Sequence, residues 1–313
     1  MPKTAVLFPG QGAQFVGMGR DVYEKSKAGR AVFQLADRVL AFRLSEIMFS
    51  GPEETLTETQ ISQPAILVAS VAVAEAAREQ GWNGTAAATA GLSLGEYTAL
   101  TFAGALLLED AVVLVHKRGT YMREAGRASP GGMLSVIGLD GAAITDIVRE
   151  SSAHGTISAA NLNCPGQVVL SGQMSALQAA AESAAVRGAA KTVFLKVDGA
   201  FHSPLMAEAA SRLARDLDAV TISRPRVPFV ANVTGDFVED AGAIRSLLEA
   251  QVTSSVLWEK SMRTLMAAGM TNYVEIGPGR VLTGLARRID RRLAIEAVGD
   301  MDQAARIGSL LSK

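Results

Sequence analysis

Short apolar runs alternate with longer stretches of helical periodicity along most of this chain, the pattern of a parallel sheet flanked by helices. The first run, Ala5 to Phe8, reads as a buried strand ending in Pro9-Gly10-Gln11-Gly12. Apolar residues at helical spacing then recur over Asp21 to Leu40, Gln63 to Glu79 and Glu109 to Ala125. Thr85 to Ala90, a run of small residues, predicts a second strand, and Glu96 to Ala105 predicts a helix after it. Tyr273 to Ile276 predicts a further strand, closed by Gly277-Pro278-Gly279.

The character changes at Ala128-Ser129-Pro130-Gly131-Gly132. A strand (Met133 to Ile137), a helix (Ala142 to Ser151) and a strand (Thr156 to Ala160) follow. The same triplet then returns in the order strand (Gln167 to Ser171), helix (Ser175 to Arg187), strand (Thr192 to Lys196). The order βαββαβ predicts a ferredoxin-like unit. Glycine-rich stretches bound it, so residues 128–197 are expected as a subdomain inserted into an α/β domain made of residues 1–127 and 198–313.

At 313 residues the chain is long enough for a sizeable core. Its net charge of −1 argues against a nucleic-acid partner, which needs a strong basic field. The single cysteine, Cys164 in Asn163-Cys164-Pro165-Gly166, excludes an internal disulfide and is expected as a small packed residue. The apolar stretches Ala65 to Ala74 and Ala99 to Leu108 fall short of a membrane span, and Ala5 to Phe8 is too short for a signal-peptide core. The expectation is a cytoplasmic protein with no membrane partner, and a monomer, since no spare amphipathic helix stands out.

The chemistry concentrates at Gly91-Leu92-Ser93-Leu94-Gly95. A serine between two glycines, after a strand and before a helix, fits a nucleophile elbow; it also fits a plain Gly/Ser turn. An activated serine needs a base, and the chain has three histidines. His116 shares a polar helical arc with Glu109, Lys117, Thr120, Arg123 and Glu124, and is expected on the solvated surface. His154 lies at a helix end, where a cation is explained by the dipole. His202, in Gly199-Ala200-Phe201-His202-Ser203-Pro204, is left as the base, or else as a helix-capping residue. Arg118 falls on the apolar arc with Ala111, Leu114, Val115, Met122 and Ala125. A buried guanidinium needs a carboxylate, from a ligand or from the protein. Gly10-Gln11-Gly12 fails the dinucleotide fingerprint at Phe15 and is better suited to presenting N–H groups, with the Leu94 amide, to an oxyanion. The basic run Leu285 to Arg292 is a solvated helix face or a docking patch.

Together these motifs resemble the malonyl-CoA:acyl-carrier-protein transacylases and the acyltransferase domains of polyketide synthases. The likeness is carried by Leu7 to Gly12, Gln63-Pro64-Ala65, the serine elbow with Glu96-Tyr97, and Lys117-Arg118-Gly119. Further carriers are Asn161 to Gln167, Gly199 to Ser203 and Glu275 to Gly279. The resemblance implies an α/β-hydrolase-like large domain with the ferredoxin-like insertion. It implies Ser93 as nucleophile, His202 as base and the Gln251 backbone carbonyl as the group orienting that histidine. It further implies an oxyanion hole at Gln11 and Leu94, and Arg118 as the partner of malonate's free carboxylate. Gln63 and Asn163 are implied to line the pocket, and Phe201 to exclude an α-methyl group. Malonyl-CoA and a holo acyl carrier protein, bearing its own phosphopantetheine, are the implied substrates; no metal or redox cofactor is implied. Leu92 departs from the histidine usual in the family. The alternatives are a free-standing acyltransferase serving a polyketide synthase, a serine esterase or thioesterase, and a non-catalytic carrier-binding module.

Overall fold

A computed structural model describes residues 3–293 and 295–311. In chain order its strands are β1 (Thr4–Phe8), β2 (Ala88–Gly91), β3 (Gly132–Ile137), β4 (Ile157–Cys164) and β5 (Gln167–Gly172). They continue with β6 (Lys191–Phe194), β7 (Phe229–Val230), β8 (Phe237–Val238), β9 (Asn272–Ile276) and β10 (Ile295–Val298). Six of them form one sheet in the order β10-β9-β1-β2-β7-β8, parallel except for the β7–β8 pair. Every residue of β1 is buried, as a strand covered on both faces requires. The chain is thus a mixed α/β protein built on a parallel sheet.

The second sheet runs β4-β5-β3-β6, antiparallel throughout. Helices Gly141–Ser151 and Met174–Val186 cover it through an apolar cluster that includes Leu134, Ile147, Leu170 and Leu177. The strand and helix order is the one the periodicity predicts. Val256 pairs with the edge strand β4: its N–H donates to Ala160 O at 2.8 Å, and its carbonyl accepts from Leu162 N at 3.0 Å.

The helix expected over Asp21 to Leu40 is broken into Arg20–Lys25 and Lys27–Leu40. Ser26 is extended, and its hydroxyl accepts from Gly29 N at 2.9 Å, capping the second helix. The central helix begins at Thr59, not at Gln63, and contains Pro64. It is long and apolar enough to cross a membrane, yet 89% of its most apolar window is buried inside the fold. A proline lacks the N–H that would bond the carbonyl one turn back. His116 supplies the missing partner: its Nδ1 lies 2.8 Å from Gln60 O, and its ring packs on Phe42. The expectation of a solvated His116 is therefore corrected; it is half-buried, held by a carbonyl that a proline leaves open. The two-residue strands β7 and β8 are too short to leave an alternation in the sequence.

Two close approaches position the site. The Leu108–Ala128 helix meets the start of the Thr59–Glu79 helix at Gly119, where a Cβ would lie 2.6 Å from Thr59 O. That contact sets Arg118 against Gln63. At Gly95 a Cβ would lie 2.2 Å from Phe8 O, so the elbow helix Gly95–Phe102 sits directly on the end of β1. We predict that Gly95→Ala lowers unfolding free energy by about 1–3 kcal/mol, since backbone must move to admit the methyl group. Urea unfolding measures this, and an unchanged midpoint contradicts it.

Candidate active site

Ser93 occupies the turn between β2 and the Gly95–Phe102 helix, with a left-handed φ of 51°. His202 follows the second sheet and precedes the helix Ala207–Ala219; its φ is 58°. Such backbone costs a non-glycine residue about 1–3 kcal/mol and persists where the surroundings over-determine it. Ser93 Oγ lies 2.8 Å from His202 Nε2. His202 Nδ1 lies 2.7 Å from the backbone oxygen of Gln251, at the end of the helix Ala241–Gln251. A carbonyl only accepts, so Nδ1 carries the proton and Nε2 presents its lone pair to the serine hydroxyl.

Arg118 is 1% exposed. Its Nη1 donates to Gln63 Oε1 at 2.7 Å, and its Nη2 donates to Gln251 Oε1 at 2.9 Å and to Ser93 Oγ at 3.1 Å. The guanidinium also lies 5.7 Å from the centre of the Tyr97 ring. Among the described residues no carboxylate comes within ion-pair distance of it, and its Nε has no partner. Among the described residues the carboxyl group that acts on it is that of Glu96, which reaches it through the Gln251 amide and not as an ion pair. Two side-chain amide oxygens hold the cation in its place.

A cleft of about 900 Å³ opens above these groups. Ser93, His202 and Arg118 line it together with Gln11, Leu94, Gln63, Asn163 and Phe201. The structure thus brings all the predicted site residues together, eight of them lining the cleft and Gln251 meeting His202 with its backbone oxygen. Gln251 is fully buried beneath the cleft floor and reaches the site by its hydrogen bonds. Asn163 Oδ1 is buried without a partner, which leaves an acceptor free for a ligand. Leu92 also lines the cleft and is half-buried. His154 is exposed at the end of its short helix, and Cys164 is buried, as expected of a small packed residue.

The profile of the acyl transferase domain family matches residues 6–311. The chain belongs to the acyl transferase family. The malonyl CoA-acyl carrier protein transacylase of Bacillus subtilis strain 168 is 44% identical over 301 residues, 96% of this chain and 94% of that one. Its namesake in Escherichia coli K12 is 39% identical, covering 96% and 97%. The solved structure of the malonyl CoA-acyl carrier protein transacylase of Coxiella burnetii superposes with a TM-score of 0.97 at 36% identity, covering 100% of this chain and 99% of that one. A malonyl-transacylase in complex with a type II polyketide acyl-carrier protein gives 0.95 at 36% identity, covering 98% and 99%.

As an acyltransferase, this chain needs a base that is unprotonated at working pH. Burial, and then the nearby Arg118 charge, lower the His202 pKa to about 4, against the smaller opposing effect of Gln251 O. Burial pushes Glu96 the other way, up to about 8. Glu96 and Asn232 are residues that sequence reasoning missed. The available signal is that Glu96 is the only charged residue between Glu79 and Glu109. Asn232 carries no comparable mark.

His202 accepts a proton only when neutral, so activity is retained above its pKa and lost as pH falls through it. The rate of Ser93 acylation by a p-nitrophenyl ester is predicted to have its acid limb near pH 4, well below the ordinary histidine value. In Arg118→Ala one of the two lowering causes is gone, and the limb should move up. A limb near the ordinary histidine pKa of about 6.5 in the parent enzyme would sink this assignment.

Proposed function

We propose that this acyltransferase moves a malonyl group from malonyl-CoA to the phosphopantetheine thiol of a holo acyl carrier protein, through an ester on Ser93. The observation that carries the reading is Arg118, a buried cation beside the nucleophile with no carboxylate at ion-pair distance among the described residues. A fixed guanidinium there favours an acyl group that brings a carboxylate, and disfavours neutral ones by leaving the charge unpaired. The names of the relatives supply the particular acyl group and the acceptor.

In the first half-reaction Ser93 Oγ attacks the thioester carbon while His202 Nε2 takes its proton. The carbonyl π electrons move onto oxygen, and the Gln11 and Leu94 N–H groups receive that oxyanion. Its collapse breaks the C–S bond. The coenzyme A sulfur leaves as a thiol with the proton from His202. Malonyl-Ser93 remains, its carboxylate against Arg118. The carrier's thiol then attacks the ester by the same route in reverse, and Ser93 recovers its proton. One thioester replaces another, so the exchange is close to balanced. When the malonate carboxylate meets Arg118, the field that holds down the His202 pKa is offset. The base therefore strengthens when the correct acyl group is bound.

Gln63 and Asn163 line the acyl pocket in this reading, and Phe201 fills the space an α-methyl group would need. The chain divides into an α/β-hydrolase-like domain of residues 1–127 and 198–313 and a ferredoxin-like subdomain of residues 128–197. The strand–elbow–helix at Ser93 and the antiparallel order β4-β5-β3-β6 support that division. The enzyme works in the cytoplasm as a monomer and needs no metal or redox cofactor. Fatty-acid synthesis is the use that this reading assigns.

Arg118→Ala tests the reading. Transfer of malonyl is predicted to fall by about two orders of magnitude or more in kcat/KM, an unpaired carboxylate in the cleft costing a few kcal/mol, while acetyl transfer rises. A variant that still strongly prefers malonyl over acetyl would overturn the carboxylate role.

A further inference from the structure

Glu96 stands one turn beyond the nucleophile, is 1% exposed and does not line the cleft. Its two oxygens have separate partners. Oε1 accepts the Asn232 backbone N–H at 3.0 Å, and Oε2 accepts from Gln251 Nε2. The orientation of the Gln251 amide is fixed by its other end, because a guanidinium only donates and Arg118 Nη2 meets Oε1. Gln251 Nε2 therefore faces Glu96, and it also donates to Ser93 O at 3.0 Å. The Asn232 amide is fixed in the same manner. Its Oδ1 accepts the Ser93 N–H at 2.7 Å, and its Nδ2 donates to Gly91 O at 2.7 Å.

Two side-chain amides thus grip the backbone of the elbow, at Gly91 O, Ser93 N and Ser93 O; one carboxyl group anchors the first through Gln251 Nε2 and the second residue through the Asn232 backbone N–H. The same Gln251 holds the imidazole of His202 with its backbone oxygen and the guanidinium of Arg118 with its side chain. Ser93 and His202 both have left-handed backbone, so such bracing is what keeps the pair aligned. We propose that Glu96 is a positioning residue for acyl transfer, fixing Ser93, His202 and Arg118 through the amides of Gln251 and Asn232. The inference rests on Ser93 and His202 being the reacting pair.

The test compares Glu96→Gln, Gln251→Met and the double variant with the parent enzyme. At an assay pH of 9, above the raised Glu96 pKa of about 8, the ionised group offers two acceptor oxygens. Glutamine keeps the shape but offers one, and turns an N–H₂ toward a second donor. Folding is followed by circular dichroism and melting. Function is followed by kcat and KM for malonyl-CoA, and by the rate at which a fluorophosphonate labels Ser93. Glu96→Gln is expected to fold, to lose about tenfold or more in kcat and in labelling, and to keep KM within about threefold, since misplacement acts on the reacting geometry. The double variant should be little worse than the worse single one, because both changes cut the same path.

Values of kcat and labelling per folded molecule within about twofold of the parent, or losses that multiply in the double variant, would overturn the inference. If Glu96→Gln does not accumulate as folded protein, Gln251→Met decides alone. A tenfold loss of kcat at preserved KM supports the path, and an unchanged kcat removes it. Ser93→Ala separates the two failures. If that variant keeps labelling and transfer, the reading of the site falls; if it is silent while Glu96→Gln matches the parent, only the role of Glu96 falls.

Discussion

A guanidinium that cannot shed its charge lies almost fully buried next to the serine of the elbow, and the rest of the site is arranged around that fact. Burial opposes the charge, and the protein answers with amide oxygens from Gln63 and Gln251 and the face of Tyr97 in place of an ion pair. Amide oxygens hold the fork still and leave its charge unneutralised. Under the proposed function, an incoming carboxylate meets a preorganised partner there. In that reading selectivity comes from this buried cation, while alignment comes from the amides that hold it and the elbow.

The fold supplies that arrangement through backbone contacts more than through long-range charge. Gly119 brings the arginine helix against the central helix, and Gly95 seats the elbow on the end of β1. The positive φ angles of Ser93 and His202 are the strained points of this scaffold. Both are held by several hydrogen bonds, which is how a strained geometry is kept. The surface ion pairs, such as Arg43–Glu46 and Arg149–Asp146, are largely exposed and contribute little by comparison.

Much of this is legible in the amino-acid sequence. A continuous apolar run predicts β1, and the βαββαβ order of β3 to β6 with their two helices follows from periodicity. The elbow is readable because glycines flank a serine between a strand and a helix. Arg118 is readable because a charge on an apolar arc is anomalous. Other features were hidden for physical reasons. The break at Ser26 is a capping interaction laid over an unbroken apolar period. His116 looked solvated because the carbonyl it meets is left open by a proline on another helix. Glu96 and Asn232 act through hydrogen bonds between segments far apart in sequence, and one sequence does not encode such pairing in its local pattern.

The central claim is that an acyl group rests on Ser93 and leaves it for a thiol. The most direct measurement is the intact mass of the protein after mixing with malonyl-CoA, followed by addition of a holo acyl carrier protein. The account predicts a malonyl adduct, absent in Ser93→Ala, that disappears from the enzyme as the carrier gains the same mass. No adduct, or one that decays to free malonate while the carrier stays unloaded, would contradict it.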